Sequence, residues 1–167
     1  MGNQLIEKEE IETYLKIVTT NFEKEGFEII RGKVENFEII IAKVDKYKWE
    51  WIESQLNIFA ILSTQENITK EIIETFSKLS RDYAINNKNA NSGNNHSNVV
   101  SFSLLTSFNI DDEAIDWVQN RPDKYFPAFE MPVISDLKNN ELYYYDQTPA
   151  WGGLYYRFLR DFIKNHF

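Results

Sequence analysis

Apolar residues return along this chain at two different periods, and the changes of period mark out its elements. Between about Glu7 and Glu25, Ile11, Tyr14, Leu15, Val18 and Phe22 recur every three or four positions, which places them on one face of an α-helix. Glu9, Glu12, Lys16, Glu23 and Lys24 occupy the other face, and Gly26 follows where a left-handed residue can end the helix. The period then drops to two. Phe27 and Ile29, then Phe37, Ile39 and Ile41, alternate with charged or small residues and predict a β-hairpin turning at Glu35-Asn36. The second strand is expected to run on through Lys46, Lys48 and Glu50. Leu56 to Leu62 is almost wholly apolar and short, the pattern of a strand buried on both faces.

Helical spacing resumes after Thr69, a candidate cap for a helix from about Lys70 to Asn86 that buries Ile72, Ile73, Phe76, Leu79, Tyr83 and Ala84. Residues Asn86 to Asn98 are dominated by Asn and predict a flexible polar loop. A further strand spans Val99 to Phe108. Asn109 is a candidate cap for a short helix over Asp111 to Gln119, whose Asp111, Asp112 and Glu113 suit the positive end of the helix dipole. Phe126 to Leu137 and Glu141 to Tyr145 read as a second hairpin around Lys138-Asn139-Asn140. Pro127 and Pro132 place its first strand at an edge or a bulge. A last helix, from about Gly153 to Lys164, is expected to bury Leu154, Phe158, Leu159 and Phe162. The order αβββαβαββα predicts an α/β (α+β) fold, a mixed and mainly antiparallel sheet with helices packed on it, in one domain over residues 1–167.

Composition narrows the chemistry. The chain has 167 residues and 43% apolar content, enough to bury a core without a staple. It has no cysteine, so disulfides, thiol nucleophiles and thiolate metal sites are excluded. The net charge of −8 opposes nucleic-acid and anionic-lipid binding. No apolar run approaches the roughly 20 residues of a membrane span, and Met1 to Glu12 show no apolar leader, so a cytoplasmic protein without membrane partners is expected. His96 and His166 have no histidine at helical spacing and read as solvated; no metal site is expected. Phosphate-loop and nucleophile-elbow motifs are absent, and no cofactor is expected.

Two constellations remain. The C-terminal third gathers Tyr143, Tyr144, Tyr145, Trp151, Tyr155, Tyr156 and Phe158 beside Arg157 and Arg160. Aromatic and arginine side chains dominate protein-binding hot spots. Tyr144, Trp151, Tyr155, Arg157 and Arg160 are therefore the candidate binding residues of a non-enzymatic interaction or scaffold protein, with a protein partner or a second copy as its target. The alternative is a divalent-metal-dependent nuclease lacking a complete active site. The opening αβββαβ is the order of the nuclease core written PD-(D/E)xK, which places an acid on its second strand and an acid and a lysine on its third. Asp45, Lys48, Glu50 and Glu53 lie near the second strand, but the Leu56–Leu62 strand carries no charge.

The run Phe129-Glu130-Met131-Pro132-Val133-Ile134-Ser135-Asp136-Leu137, followed by Tyr144-Tyr145 and Trp151-Gly152-Gly153-Leu154-Tyr155, resembles a family of prokaryotic proteins that has no assigned activity. The stretches Trp49 to Ile61 and Phe76 to Asn87 are similar to it as well. The resemblance implies a prokaryotic source and carries over no catalytic residue.

Overall fold

The computed structural model describes residues 2–47, 56–89, 98–120, 124–125, 128–148 and 153–167. Its elements run α1 (Gly2–Lys24), β1 (Glu28–Val34), β2 (Phe37–Tyr47), β3 (Leu56–Thr64), α2 (Lys70–Asn87), β4 (Asn98–Ser107), α3 (Asp112–Asn120), β5 (Lys124–Tyr125), β6 (Ala128–Asp136), β7 (Glu141–Tyr143) and α4 (Gly153–His166). This is an α/β fold with the element order expected from the pattern, plus the two-residue β5. The continuation of β2 through Lys48 and Glu50 lies outside the described residues, as does most of the predicted loop, His96 included. Asn86 and Asn87 form the end of α2 instead.

Among the described residues seven strands form one mixed sheet in the order β1-β2-β3-β4-β6-β5, with β7 also paired to β6. β1, β2 and β3 form an antiparallel meander. β3, β4 and β6 are parallel. β5 and β7 pair antiparallel with β6. The pairing around β6 explains why Pro132 is tolerated in a strand flanked on both sides. β5 covers only Ala128 and Phe129, and β7 covers only Ile134 to Asp136, so the residues around Pro132 have no strand partner on that flank among the described residues. A missing N–H is tolerated at such a local edge. The expected edge is thus confined to part of an otherwise interior strand; Pro127 lies outside the described residues.

Alternation along the strands divides the core into two layers. On one side α1 and α4 bring Val18, Phe22, Tyr156, Leu159 and Phe162 onto Leu56, Ile58, Val100, Phe102 and Met131. On the other side α2 and α3 bring Ile73, Phe76, Ala84, Trp117 and Val118 onto Ile39, Phe59, Ile61, Leu105 and Ile134. β3 is apolar almost throughout because it serves both layers.

Local chemistry sets the element ends. Phe27 N donates to the Phe22 carbonyl at 3.1 Å and Gly26 N to the Glu23 carbonyl at 3.0 Å, with Gly26 at φ +85°. That is a Schellman cap, sealed by the Phe22 and Phe27 rings at 4.9 Å. Thr69 caps α2, its hydroxyl accepting from Ile72 N at 3.3 Å. Thr69→Ala should lower the unfolding free energy by about 1 kcal/mol, read from urea denaturation midpoints. Asn109 does not cap α3. Its side chain donates to the Glu66 carbonyl, and the Asp111 carbonyl opens the helix by accepting from Ala114 N.

α4 departs from expectation at one position. Its buried stripe follows Tyr156, Leu159 and Ile163 together with Phe158, Phe162 and His166. Leu154 falls beyond the Phe158 flank and is 59% exposed. His166, expected to be solvated, is 5% exposed. Its Nδ1 lies 2.8 Å from the Phe162 carbonyl oxygen and its Nε2 lies 2.8 Å from Glu25 Oε2, so it fastens the end of α4 to the end of α1. Among the described residues no helix is long and apolar enough to cross a membrane.

Candidate functional site

The most unusual chemistry lies under α2. Ser101 and Ser103 sit on alternate positions of β4 and face α2, while Val100 and Phe102 face the opposite layer. Glu130 is the in-register neighbour of Ser101 on β6 and is 3% exposed. Its Oε2 is hydrogen-bonded to the Ser101 hydroxyl and its Oε1 to the Ser103 hydroxyl. From above, Ser77 on α2 donates to Oε1 at 3.1 Å. Arg81, one turn further along α2, adds a positive charge nearby. Burial outweighs the three hydroxyls and the guanidinium, and pushes the Glu130 carboxyl up to about 8. Glu130 is therefore a neutral acid at pH 7, held by three hydroxyls that can rotate to donate or accept. Ser101 and Ser103 are fully buried, so no substrate reaches this acid while α2 stays seated. It is a buried, titratable centre.

A second polar cluster lies where the parallel strands end. Asn67 follows β3, Asn109 follows β4, and Asp136, Lys138 and Asn139 end β6. With Phe108 and Asp111 they line an open pocket of about 370 Å³. Asp136 builds its wall: Oδ1 accepts from Lys138 N at 3.0 Å and Asn139 N at 3.1 Å, and Oδ2 accepts from Asn139 Nδ2 at 2.8 Å. Asn67 Nδ2 donates to Asp111 Oδ1 at 3.3 Å within the lining.

Among the described residues, the candidate binding residues of the C-terminal third do not form one exposed cluster. Tyr144 is half-buried against the α1–α4 core layer. Tyr155 stacks on Phe129 with ring centroids 4.9 Å apart. Arg157 is exposed. Arg160 donates to the carbonyls of Asp146 and Gln147 at 3.2 and 2.9 Å, which pins that segment to α4. Trp151 lies outside the described residues. Tyr156, Phe158 and Phe162 are core. The aromatic richness is thus spent largely on packing, and α4 presents Leu154, Arg157, Asp161, Lys164 and Asn165 to solvent.

The acids near the second strand are not gathered into a metal centre among the described residues, where no group of three metal-ligating acids or histidines occurs. Asp45 Oδ2 accepts from Asn89 Nδ2 at 3.0 Å. Lys48, Glu50 and Glu53 lie outside the described residues. β3 contributes Asn57 and Ser63 as its buried polar side chains and no carboxylate.

From the sequence, Glu130 is not singled out as a site residue. The signal was present: an acid inside the apolar run Phe129 to Ile134, and a Ser-Phe-Ser alternation at Ser101 to Ser103. In comparisons with known proteins, no family model matches the chain, and neither a curated protein nor a solved structure matches it.

Proposed function

We propose that this chain is a non-enzymatic interaction module that associates through the layer formed by α1 and α4, and that a second copy is its partner. The observation that carries the reading is the placement of exposed apolar side chains. Among the described residues the large ones are Leu5, Ile6, Ile17 and Leu154, all on α1 or α4 and none on α2 or α3. Single exposed apolar residues are ordinary, but their restriction to one of two helical layers is not explained by solubility.

Charge favours a second copy. On α1, Glu7, Glu9, Glu10, Glu12 and Glu23 outnumber Lys8, Lys16 and Lys24. On α4, Arg157, Arg160 and Lys164 outnumber Asp161. A two-fold arrangement would set the acidic α1 of each copy on the basic α4 of the other, the self-complementarity a two-fold interface requires. The first half of α1 also projects almost wholly into solvent. A helical segment of that length is marginal in water on its own, and a partner's surface would support it. Arg157 and Leu154, three residues apart on the exposed face of α4, supply the arginine and aliphatic anchor of such a contact.

Sedimentation equilibrium tests the reading. A dimer that strengthens as salt is lowered is expected, with Ile17→Asp and Leu154→Asp each weakening it by about tenfold or more. Both side chains are exposed in the protomer, so at concentrations where parent and variants are all monomeric the variants should keep the parent's thermal midpoint. A monomer at the highest soluble concentration in low salt would overturn the proposal.

A further inference from the structure

We infer that the pocket at the carboxyl ends of the parallel strands binds a small free amino acid. In sheets of this kind ligands sit outside the carboxyl ends of the parallel strands, where the loops diverge. All three parallel strands deliver polar residues to this place, and the volume of about 370 Å³ suits a small solute. The site is independent of the α1–α4 surface.

The unmet bonding capacity selects the ligand. Asp111 and Lys138 carry opposite charges into one pocket, yet neither forms a salt bridge among the described residues. The amide nitrogens of Asn67, Asn109 and Asn139 are committed to protein acceptors, namely Asp111, the Glu66 carbonyl and Asp136. Their amide oxygens can act as acceptors in the same lining as the Asp111 carboxylate. A primary ammonium has the three donors to meet such a set, and the Lys138 ammonium meets a carboxylate. An α-amino acid carries both groups. Phe108 and Ile110 are the apolar members of an otherwise polar lining, so a small polar side chain such as that of serine fits best.

The wall is preorganised, because the three Asp136 contacts hold the Lys138-Asn139 turn before any ligand arrives. The experiment uses the full chain and L-serine, with thermal midpoints and amide NMR shifts as readouts. A saturable rise in midpoint is expected, with shifts concentrated at 107–111 and 136–139. N-acetyl-L-serine, which lacks the ammonium, and L-serinamide, which lacks the carboxylate, should each bind at least about tenfold more weakly. Asp111→Asn and Lys138→Gln should each reproduce that loss, read as the ligand-induced rise over each variant's own ligand-free midpoint. No saturable response to L-serine, or an equal response to N-acetyl-L-serine, would overturn the assignment, and the two analogues decide it even if a variant fails to fold.

Discussion

Unfolding free energy should fall steeply as the pH is raised through the neutral range, and Glu130→Gln should remove most of that fall. In the native state the Glu130 carboxyl is pushed up to about 8 from an ordinary value of 4.5, chiefly by burial. Between those values the folded chain holds a proton that the unfolded chain has released. Stability from this group is therefore fully present below pH 4.5, declines through the interval, and is lost once the pH passes about 8. The slope approaches roughly 1.4 kcal/mol per pH unit, so several kcal/mol are at stake across the interval. Arg81 and the three serines act in the opposite sense by favouring the charged form, and burial outweighs them.

A glutamine in place of Glu130 would reproduce the neutral acid, with one acceptor and a donor among hydroxyls that can turn to suit it. At pH 5 the variant should match the parent within about 1 kcal/mol. At pH 9 it should be the more stable protein by several kcal/mol. Urea titrations of both proteins at a series of pH values provide the measurement. Parallel stability curves for parent and variant would show that Glu130 does not titrate in this range.

The second large effect is expected at Phe76. Its ring is 1% exposed, faces the sheet from α2, and packs 4.9 Å from the Phe37 ring. Phe76→Ala should cost about 3–5 kcal/mol, from lost burial and from the cavity that its neighbours only partly refill. That is a large part of the roughly 5–15 kcal/mol that typically separates folded from unfolded states, so the variant should unfold at much lower urea. A loss near zero would place the ring outside the core. Phe76 precedes Ser77, the hydroxyl that closes over Glu130, so the same helix seats both the apolar layer and the buried acid.

The helices, the order of elements along the chain and most buried faces were legible in the chain itself. Val18 and Phe22 on α1, Ile73, Phe76 and Ala84 on α2, and Phe158, Leu159 and Phe162 on α4 are buried as their spacing predicts. The Gly26 and Thr69 end signals hold for the same reason: a cap depends on residues within one turn of it. Leu154 shows where this stops. Its spacing from Phe158 fits the buried stripe, but the width of that stripe is set by where α4 meets the sheet. His166 is similar, since nothing near it in the chain announces Glu25, 141 residues away, as its partner.

By itself, the chain determined its element order, its α/β class, the absence of thiol chemistry and the two-sided burial of β3, because each follows from residue type or from spacing within a single element. Only the tertiary structure decided that β3, β4 and β6 run parallel, that Ser77, Ser101, Ser103 and Glu130 meet, and that Asp111 and Lys138 face one pocket. Those facts depend on register between strands that are distant in the chain, and a one-residue slip would turn each of these strand side chains to the opposite face. Periodicity states which side of an element is apolar. It does not state which other element that side will meet.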